Sequence, residues 1–425
     1  MKIAVIGSGI SGLIAADLLS QKHEVTLFES DDRVGGHTNT IPVPLPDGSV
    51  QPVDTGWIVY NGINYPNLTA LFAELGIQTR DTSMSFGVSL GDGAYEYMGS
   101  DHIWTVFAQP SNLLSWTHIR MLIDILRLNA RCRKILESGQ LPEGSLGEFL
   151  DQSGLSPKMA SRYLLPMAGL IWSCSPRQAM AYPAADFMRF FDSHSLFTAT
   201  QQPTWRTVIG GSNQYIKPIL ARFKGELRLS TEVTAIQRDD AEVVIKTPVN
   251  QQAFDQVICA AHADQTLKIL EDTDEVERTL LQGIPYGASR CVLHTDESFL
   301  PRRRAAWASW NYINDVDEVH DRPISGSYWM NKLQGIPGEV NYIVTLNPAR
   351  EIPSGKILYD TVYEHPQYGP ASVITHARLA EIQGHRRTWF AGAWTQYGFH
   401  EDGLKSGLRA VQGIDDRCLP DWAAL

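Results

Sequence analysis

The stretch that most constrains the fold is residues 1–36. Lys2 to Ile6 reads as a short buried strand, Gly7-Ser8-Gly9-Ile10-Ser11-Gly12 as a G-x-G-x-x-G turn, and Leu13 to Leu19 as an Ala/Leu-rich helix. Glu24 to Phe28 then reads as a second strand that ends on Glu29. Gly7 permits the tight turn, Gly9 leaves room for a pyrophosphate against the backbone, and Gly12 lets the helix lie close on the sheet. The helix start, from Ile10 and Ser11, offers unpaired N–H groups and the positive end of its dipole to phosphate oxygens. Glu29, with Ser30 beside it, falls where an acid accepts hydrogen bonds from ribose hydroxyls. Glycine-rich turns are common for folding reasons alone. This one has the strand, the helix and the acid at the distances a dinucleotide unit requires.

At 425 residues the chain exceeds the usual single-domain size, so two domains are expected. Lys and Arg number 36 and Asp and Glu 47, a net charge of −11, which argues against a nucleic-acid partner. Five scattered cysteines, Cys132, Cys174, Cys259, Cys291 and Cys418, form no C-x-x-C pair. They fit free thiols in a reducing cytosol and offer neither a metal site nor a disulfide framework. With a strand read from Lys2 onward no signal peptide is expected, and no apolar run is long enough to span a bilayer as a helix. A cytoplasmic location is expected.

Past Glu29 the chain runs Asp31-Asp32-Arg33-Val34-Gly35-Gly36-His37-Thr38. Arg, one spacer and Gly-Gly, four residues beyond the ribose acid, resembles the second signature of the flavin amine oxidase superfamily. That group includes monoamine and polyamine oxidases, protoporphyrinogen oxidase and phytoene desaturases. The resemblance implies FAD, with Arg33, Gly35, Gly36, His37 and Thr38 on the diphosphate side. Asp54-Thr55-Gly56-Trp57-Ile58 is similar to the family's next segment, which brings Gly56, Trp57 and Ile58 toward the flavin ring. The implied architecture is α/β: a Rossmann-like FAD-binding domain of the glutathione-reductase type, discontinuous over 1–64, 205–285 and 380–425. An α+β substrate domain with a mainly antiparallel sheet fills 65–204 and 286–379.

Within that frame, Tyr65 to Leu75 predicts a helix capped by Asn64 and stopped by Gly76, and Phe86 to Leu90 with Tyr95 to Met98 a hairpin around Gly91-Asp92-Gly93. Residues 102–136 carry Trp104 and Phe107 before Pro110, then Ile119, Leu122, Ile123 and Leu126 at helical spacing. The other side holds Arg120, Asp124, Arg127, Arg131 and Lys134. Such a stretch suits peripheral contact with the inner membrane surface, but the favoured expectation is a core-facing helix whose charges meet water. Gly144 to Leu150, Ser156 to Ile171 and Asp186 to Phe191 read as further helices. Cys174 is expected to be a small buried hydrophobe.

Val208-Ile209-Gly210-Gly211 before Tyr215 to Phe223 resembles the family's re-entry into the cofactor domain. Strands are expected at Glu226 to Leu229, Glu232 to Arg238, Glu242 to Lys246 and Gln256 to Ala261, with Val233 carried over as the adenine contact. From Tyr286 to about Arg378 the chain turns strand-like. Some of Trp307, Trp310, Tyr312, Tyr328, Trp329 and Tyr342 are expected to line a pocket. Thr388-Trp389-Phe390-Ala391-Gly392 and Gly398 to Ala410 resemble the family's last flavin-binding strand, turn and helix. The resemblance puts Gly392, Gly403 and Leu404 at the flavin, with the helix N-terminus near Gly403 facing the N1/O2 edge.

Two departures stand out. Most members place an acid after Phe-Ala-Gly to hold the ribityl chain; here the position is Ala393, and Asp402 is the expected substitute. Of the paired aromatic side chains that amine oxidases set over the ring, Phe399 matches one, with Trp394 or Tyr397 as partner. The amine reading is weakened accordingly. His400 and Glu401 are the ionisable pair expected to handle protons, with Tyr397 as the third catalytic candidate. No cysteine in this segment precedes Cys418, so the FAD is expected to be non-covalent. With no second dinucleotide motif, electrons are expected to leave to oxygen, a quinone or a protein acceptor. The expected function is an FAD-dependent oxidase or desaturase acting on an apolar, lipid-like substrate. The alternatives are an amine oxidase that releases peroxide and a redox-neutral flavin-dependent isomerase.

Overall fold

The computed structural model describes residues 1–425 except 101, 173, 198–202, 240 and 316–323. Strand β1 (Lys2–Ile6), helix α1 (Ile10–Ser20) and strand β2 (Glu24–Phe28) open the chain. β1 and β2 are the centre of a five-stranded parallel sheet in the order Glu226–Arg228, β2, β1, Gln256–Cys259, Thr388–Phe390. Its strands are apolar runs because both faces are covered. α1 and the C-terminal helix His400–Asp415 pack on one side, where Leu13, Ile14, Leu19, Leu404 and Leu408 form one core. On the other side Ala235–Arg238, Val243–Lys246 and Gln251–Phe254 form a three-stranded antiparallel layer.

The second sheet has seven strands in the order Ile357–Pro366, Tyr286–His294, Ile343–Leu346, Gly326–Trp329, Trp310–Asn314, Phe86–Leu90, Tyr95–Gly99. All neighbours are antiparallel except Trp310–Asn314 against Phe86–Leu90. The expected hairpin is present, and it extends the sheet built by the later strands. Helix α2 (Pro66–Leu75) ends at Gly76 with φ +67° as expected. Its start is not capped by Asn64, whose N–H instead donates to Asn61 Oδ1 at 2.8 Å.

Helix α3 (Trp116–Ser138) is capped by Ser115, and buries Met121, Leu128 and Cys132 against a helical core that includes Phe187, Phe190 and Phe191. The helix expected over 156–171 is present as one run over 157–172, with a π turn, Ala160–Leu164, between the α-helical pieces Pro157–Met159 and Leu165–Trp172. Pro166 is the cause: it has no N–H for the Arg162 carbonyl. That carbonyl accepts the Tyr97 hydroxyl at 2.8 Å. Among the described residues, no helix is long and apolar enough to cross a membrane.

Candidate active site

A cavity of about 1280 Å³ runs from the β1–α1 turn to the seven-stranded sheet. The glycines at its floor divide by what surrounds them. A Cβ on Gly12 would lie 1.9 Å from the Gly7 carbonyl oxygen, and one on Gly7, at φ +97°, 2.9 Å from the Ala260 oxygen. Both close the backbone on itself. Gly9 has nothing within 4 Å of that position and faces the open cavity. Gly36, at φ +56°, abuts Gly9, with 3.3 Å from its Cβ position to the Gly9 Cα. Arg33 secures this loop by donating to the carbonyls of Gly36 at 2.8 Å and Thr38 at 3.3 Å.

Glu29 lines the same end. Its Oε2 accepts the Ser8 N–H at 2.9 Å and the Ser8 hydroxyl at 2.5 Å, and its Oε1 the Asp31 N–H at 2.9 Å and the Ser30 hydroxyl at 3.3 Å, so ligand hydroxyls would take the places of the two serine hydroxyls. Ile10, Ser11, Ser30, Gly35 and Val233 also line the cavity. Gly56, Trp57 and Ile58 line it further along, where the Trp57 N–H donates to the His37 carbonyl at 2.9 Å. A Cβ on Gly56 would stand 2.0 Å from that carbonyl oxygen. Asp54, just before, accepts the Ser212 N–H at 2.9 Å and so ties the Gly210-Gly211 turn to this layer; burial raises its pKa to about 6.

The C-terminal segment differs from expectation. Gly392, Ala393, Tyr397, Phe399 and His400 line the cavity, whereas Asp402, Gly403 and Leu404 do not. The helix starts at His400, a turn earlier than the resemblance implies, so those three residues fall behind the wall. A Cβ on Gly403 would meet the Ile10 side chain at 2.9 Å, which makes it a helix-crossing glycine, and Leu404 is fully buried in the core. Asp402 Oδ2 accepts the N–H groups of Tyr397 and Phe399 at 3.2 and 3.0 Å. It shapes the turn and does not replace the missing ribityl acid. Burial raises its pKa to about 7.

The proton-handling pair is also corrected. Glu401 Oε1 accepts from the Asn67 backbone at 3.0 Å and side chain at 2.7 Å, and Oε2 from the Leu68 N–H at 2.9 Å. This carboxylate caps α2, and it is absent from the cavity wall. His400 does reach the cavity. Its ring stacks on Trp57 at 4.3 Å, and its Nε2 lies 2.9 Å from the Tyr215 hydroxyl, which is 2.6 Å from Thr38 Oγ1. Burial lowers its pKa to about 3, so it is neutral at ordinary pH. Thr38 therefore belongs to this buried relay behind the wall. Tyr397 lines the cavity and packs against Phe190, with ring centroids 5.7 Å apart.

Of the aromatic candidates, Trp310 and Tyr328 line the cavity. Trp307 and Trp329 pair with each other edge to face at 5.2 Å, away from it. Sequence reasoning missed the strand Ile357–Pro366, whose Tyr359, Thr361, Tyr363 and His365 all line the cavity. Their spacing of two is the signal that could have found them. His365 stands 5.3 Å from His37 between ring centroids, and Tyr368 lines the wall beyond. Burial lowers the pKa of His365 to about 4 and that of His37 well below the usual value.

Among the described residues, His37 Nε2, Trp57 Nε1, Trp172 Nε1, His365 Nδ1 and Tyr368 Oη, all on side chains of the cavity lining, are buried with no hydrogen-bond partner. Buried polar atoms seldom stay unpaired, so this wall is built to meet a polar ligand. The open Gly9, the abutting Gly36 and the acid at Glu29 fit the diphosphate and ribose of a dinucleotide. None of the five cysteines lines the cavity; all are buried and free. Two groups of ligand-type side chains, His23/Asp415/Cys418 and Asp274/Glu277/His385, lie away from it.

A parallel dinucleotide-binding sheet, a mainly antiparallel sheet and the long cleft between them define a two-domain flavoprotein oxidoreductase. The chain belongs to the family of flavin-containing amine oxidoreductases, whose sequence model matches residues 10–361, and it is an FAD-dependent oxidoreductase. It is 24% identical to flavin-containing amine oxidase A of Canis lupus familiaris, over 97% of this chain and 84% of that protein. A protoporphyrinogen oxidase assigned in Exiguobacterium sp. 255-15 superposes with a TM-score of 0.69 at 16% identity, covering 98% of this chain and 99% of the other. A fatty acid isomerase from P. acnes that produces CLA superposes at 0.61 with 16% identity, covering 98% of each chain. These two likenesses concern the fold.

Proposed function

We propose that the protein removes hydride from an apolar, lipid-like substrate, as an oxidase or desaturase. The observation that carries this reading is the wall of the cavity beyond the dinucleotide end. Leu170, Ile171, Trp172, Trp310, Val344 and Leu346 line it without a formal charge. The charged lining residues Glu29, Asp31, Asp32, Arg33, Glu232 and Lys268 lie on the dinucleotide-binding segments, and Glu364 faces His262 at 3.5 Å. An apolar chain enters such a wall without desolvating a charge, whereas a polyamine would meet one carboxylate from the seven-stranded sheet, Glu364, already beside His262.

Gly9, Gly36, Glu29 and Val233 would hold the diphosphate, ribose and adenine of FAD, and Gly392 and Ala393 the flavin end. Bound FAD supplies a two-electron hydride acceptor. The chain's own part is orientation and dryness: Tyr368, Tyr397 and Phe399 shape the wall beside the last helix, and neutral His400 adds no charge. The proton released from substrate meets no carboxylate in this wall other than Glu364, and otherwise leaves through hydroxyl groups or water. The final acceptor of those electrons would be oxygen, a quinone or a protein.

Amine oxidation is the second reading, favoured by the tyrosine and phenylalanine side chains beside the last helix. Anaerobic titration of the purified holoprotein separates the two. Long-chain acyl substrates are expected to bleach the oxidised flavin spectrum and simple amines to leave it unchanged. Bleaching by amines alone would replace the proposal with the second reading. Bleaching by neither would favour a redox-neutral isomerase.

A further inference from the structure

We propose that the outer face of α3, with the turns just before it, is a docking surface for an anionic lipid bilayer. Leu114 is 93% exposed, Trp104 77%, Trp116 71% and Leu126 60%. Isolated exposed apolar residues are ordinary; four large ones within 23 positions, two of them tryptophan, are not isolated in the chain. The helical period explains why they are outside. Met121, Leu128 and Cys132 turn one side of α3 into the core, and Trp116, Ile123 and Leu126 fall on the opposite side. Amphipathicity here has two apolar faces, and the core can cover only one.

The charge around these residues selects the occupant. From Leu113 to Lys134 the chain has five cations, Arg120, Arg127, Arg131, Arg133 and Lys134, and one acid, Asp124, for a net of 5 − 1 = +4 in a protein of net −11. Asp124 is fully buried, held by Arg120 at 2.8 Å, Arg127 at 3.2 Å and the Ser156 N–H at 3.0 Å. The surface therefore presents cations around an apolar ridge, with no acid of its own along that helix until Glu137. Tryptophan and leucine immersed among headgroups, with arginine and lysine at the phosphate level, is how a helix lies in a bilayer interface. A second copy is a poorer partner, because a two-fold contact through this face would set its cations against their equivalents.

Flotation of the FAD-loaded full chain with vesicles tests the proposal. Wild type is expected to float with phosphatidylcholine vesicles that contain phosphatidylglycerol, less with phosphatidylcholine alone, and less at high salt. L114E/W116E is expected to lose at least about ten-fold in bound fraction, and R133E/K134E to lose the preference for the anionic vesicles. All four side chains are on the surface, so melting temperature and flavin spectrum should match wild type. The proposal is overturned if wild type does not float with anionic vesicles at low salt, or if L114E/W116E floats equally well. A wild-type dimer that L114E/W116E dissolves, without vesicle binding, would make this face a self-interface instead. Retention of the wild type only by an acidic protein, with no flotation, would equally overturn it.

Discussion

Glu401 joins segments 334 residues apart, since its carboxylate closes the first turn of α2. A capping carboxylate is worth more than a neutral cap because its hydrogen bonds are charge-assisted. E401Q is expected to cost about 1–3 kcal/mol of unfolding free energy while leaving the flavin spectrum in place. A variant as stable as wild type in denaturant titration would contradict the cap. The glycines make a paired prediction. G9A adds a methyl group to open cavity, so the chain should fold but release FAD at least about ten-fold more readily by equilibrium dialysis. G12A drives its Cβ to 1.9 Å from a backbone oxygen and should cost at least about 2 kcal/mol of stability. Asp402 makes a prediction in pH. Its folded pKa of about 7 lies above the ordinary value of about 4, so the folded chain holds a proton that the unfolded chain has released. Its contribution is fully present below about pH 4 and is lost as pH rises to about 7. Relative to wild type, D402N should therefore gain stability across that window and level off above it. A difference that is constant with pH would refute the assignment.

At the scale of elements, the β1–α1–β2 unit, the Gly76 stop and the hairpin at Gly91-Asp92-Gly93 were legible because each is set by local chemistry. The π turn inside the helix over 157–172 was half legible: Pro166 announces a break, but its repair comes from Tyr97 on a distant strand. The roles of Gly403 and Asp402 were misread because the sequence does not say at which residue a helix begins. A shift of three residues moves a side chain from the cavity to the core. Glu401 was misread for another reason, since its partners on α2 are remote in sequence. The same remoteness hides the Arg238–Glu277 pair beneath the antiparallel layer. Both side chains are fully buried, joined at 2.7 and 2.8 Å, with Asp272 at 2.8 Å as a third member. R238M would leave Glu277 buried without its partner and is expected to cost about 3–5 kcal/mol, read by chemical denaturation. Simultaneous replacement of Glu277 by leucine should recover part of that loss.

At the scale of the molecule, the cleft is bounded on one side by a parallel sheet that needs both faces covered, and on the other by a sheet that can leave one face to the cavity. The apolar ridge on α3 lies outside both cores, where the pattern of residues alone could not tell a core stripe from a second surface. The order of strands in the parallel sheet has a consequence for how the protein is made. Its neighbours come from residues 2–28, 226–259 and 388–390, so the edge beyond Gln256–Cys259 stays unpaired until Thr388–Phe390 is available. A chain ending before Thr388 should not retain FAD on gel filtration, although it contains the whole glycine turn. During synthesis the cofactor therefore has no finished seat until Thr388–Phe390 has left the exit tunnel, and the strand Gln256–Cys259 must wait, protected or at risk of mispairing, for that distant partner.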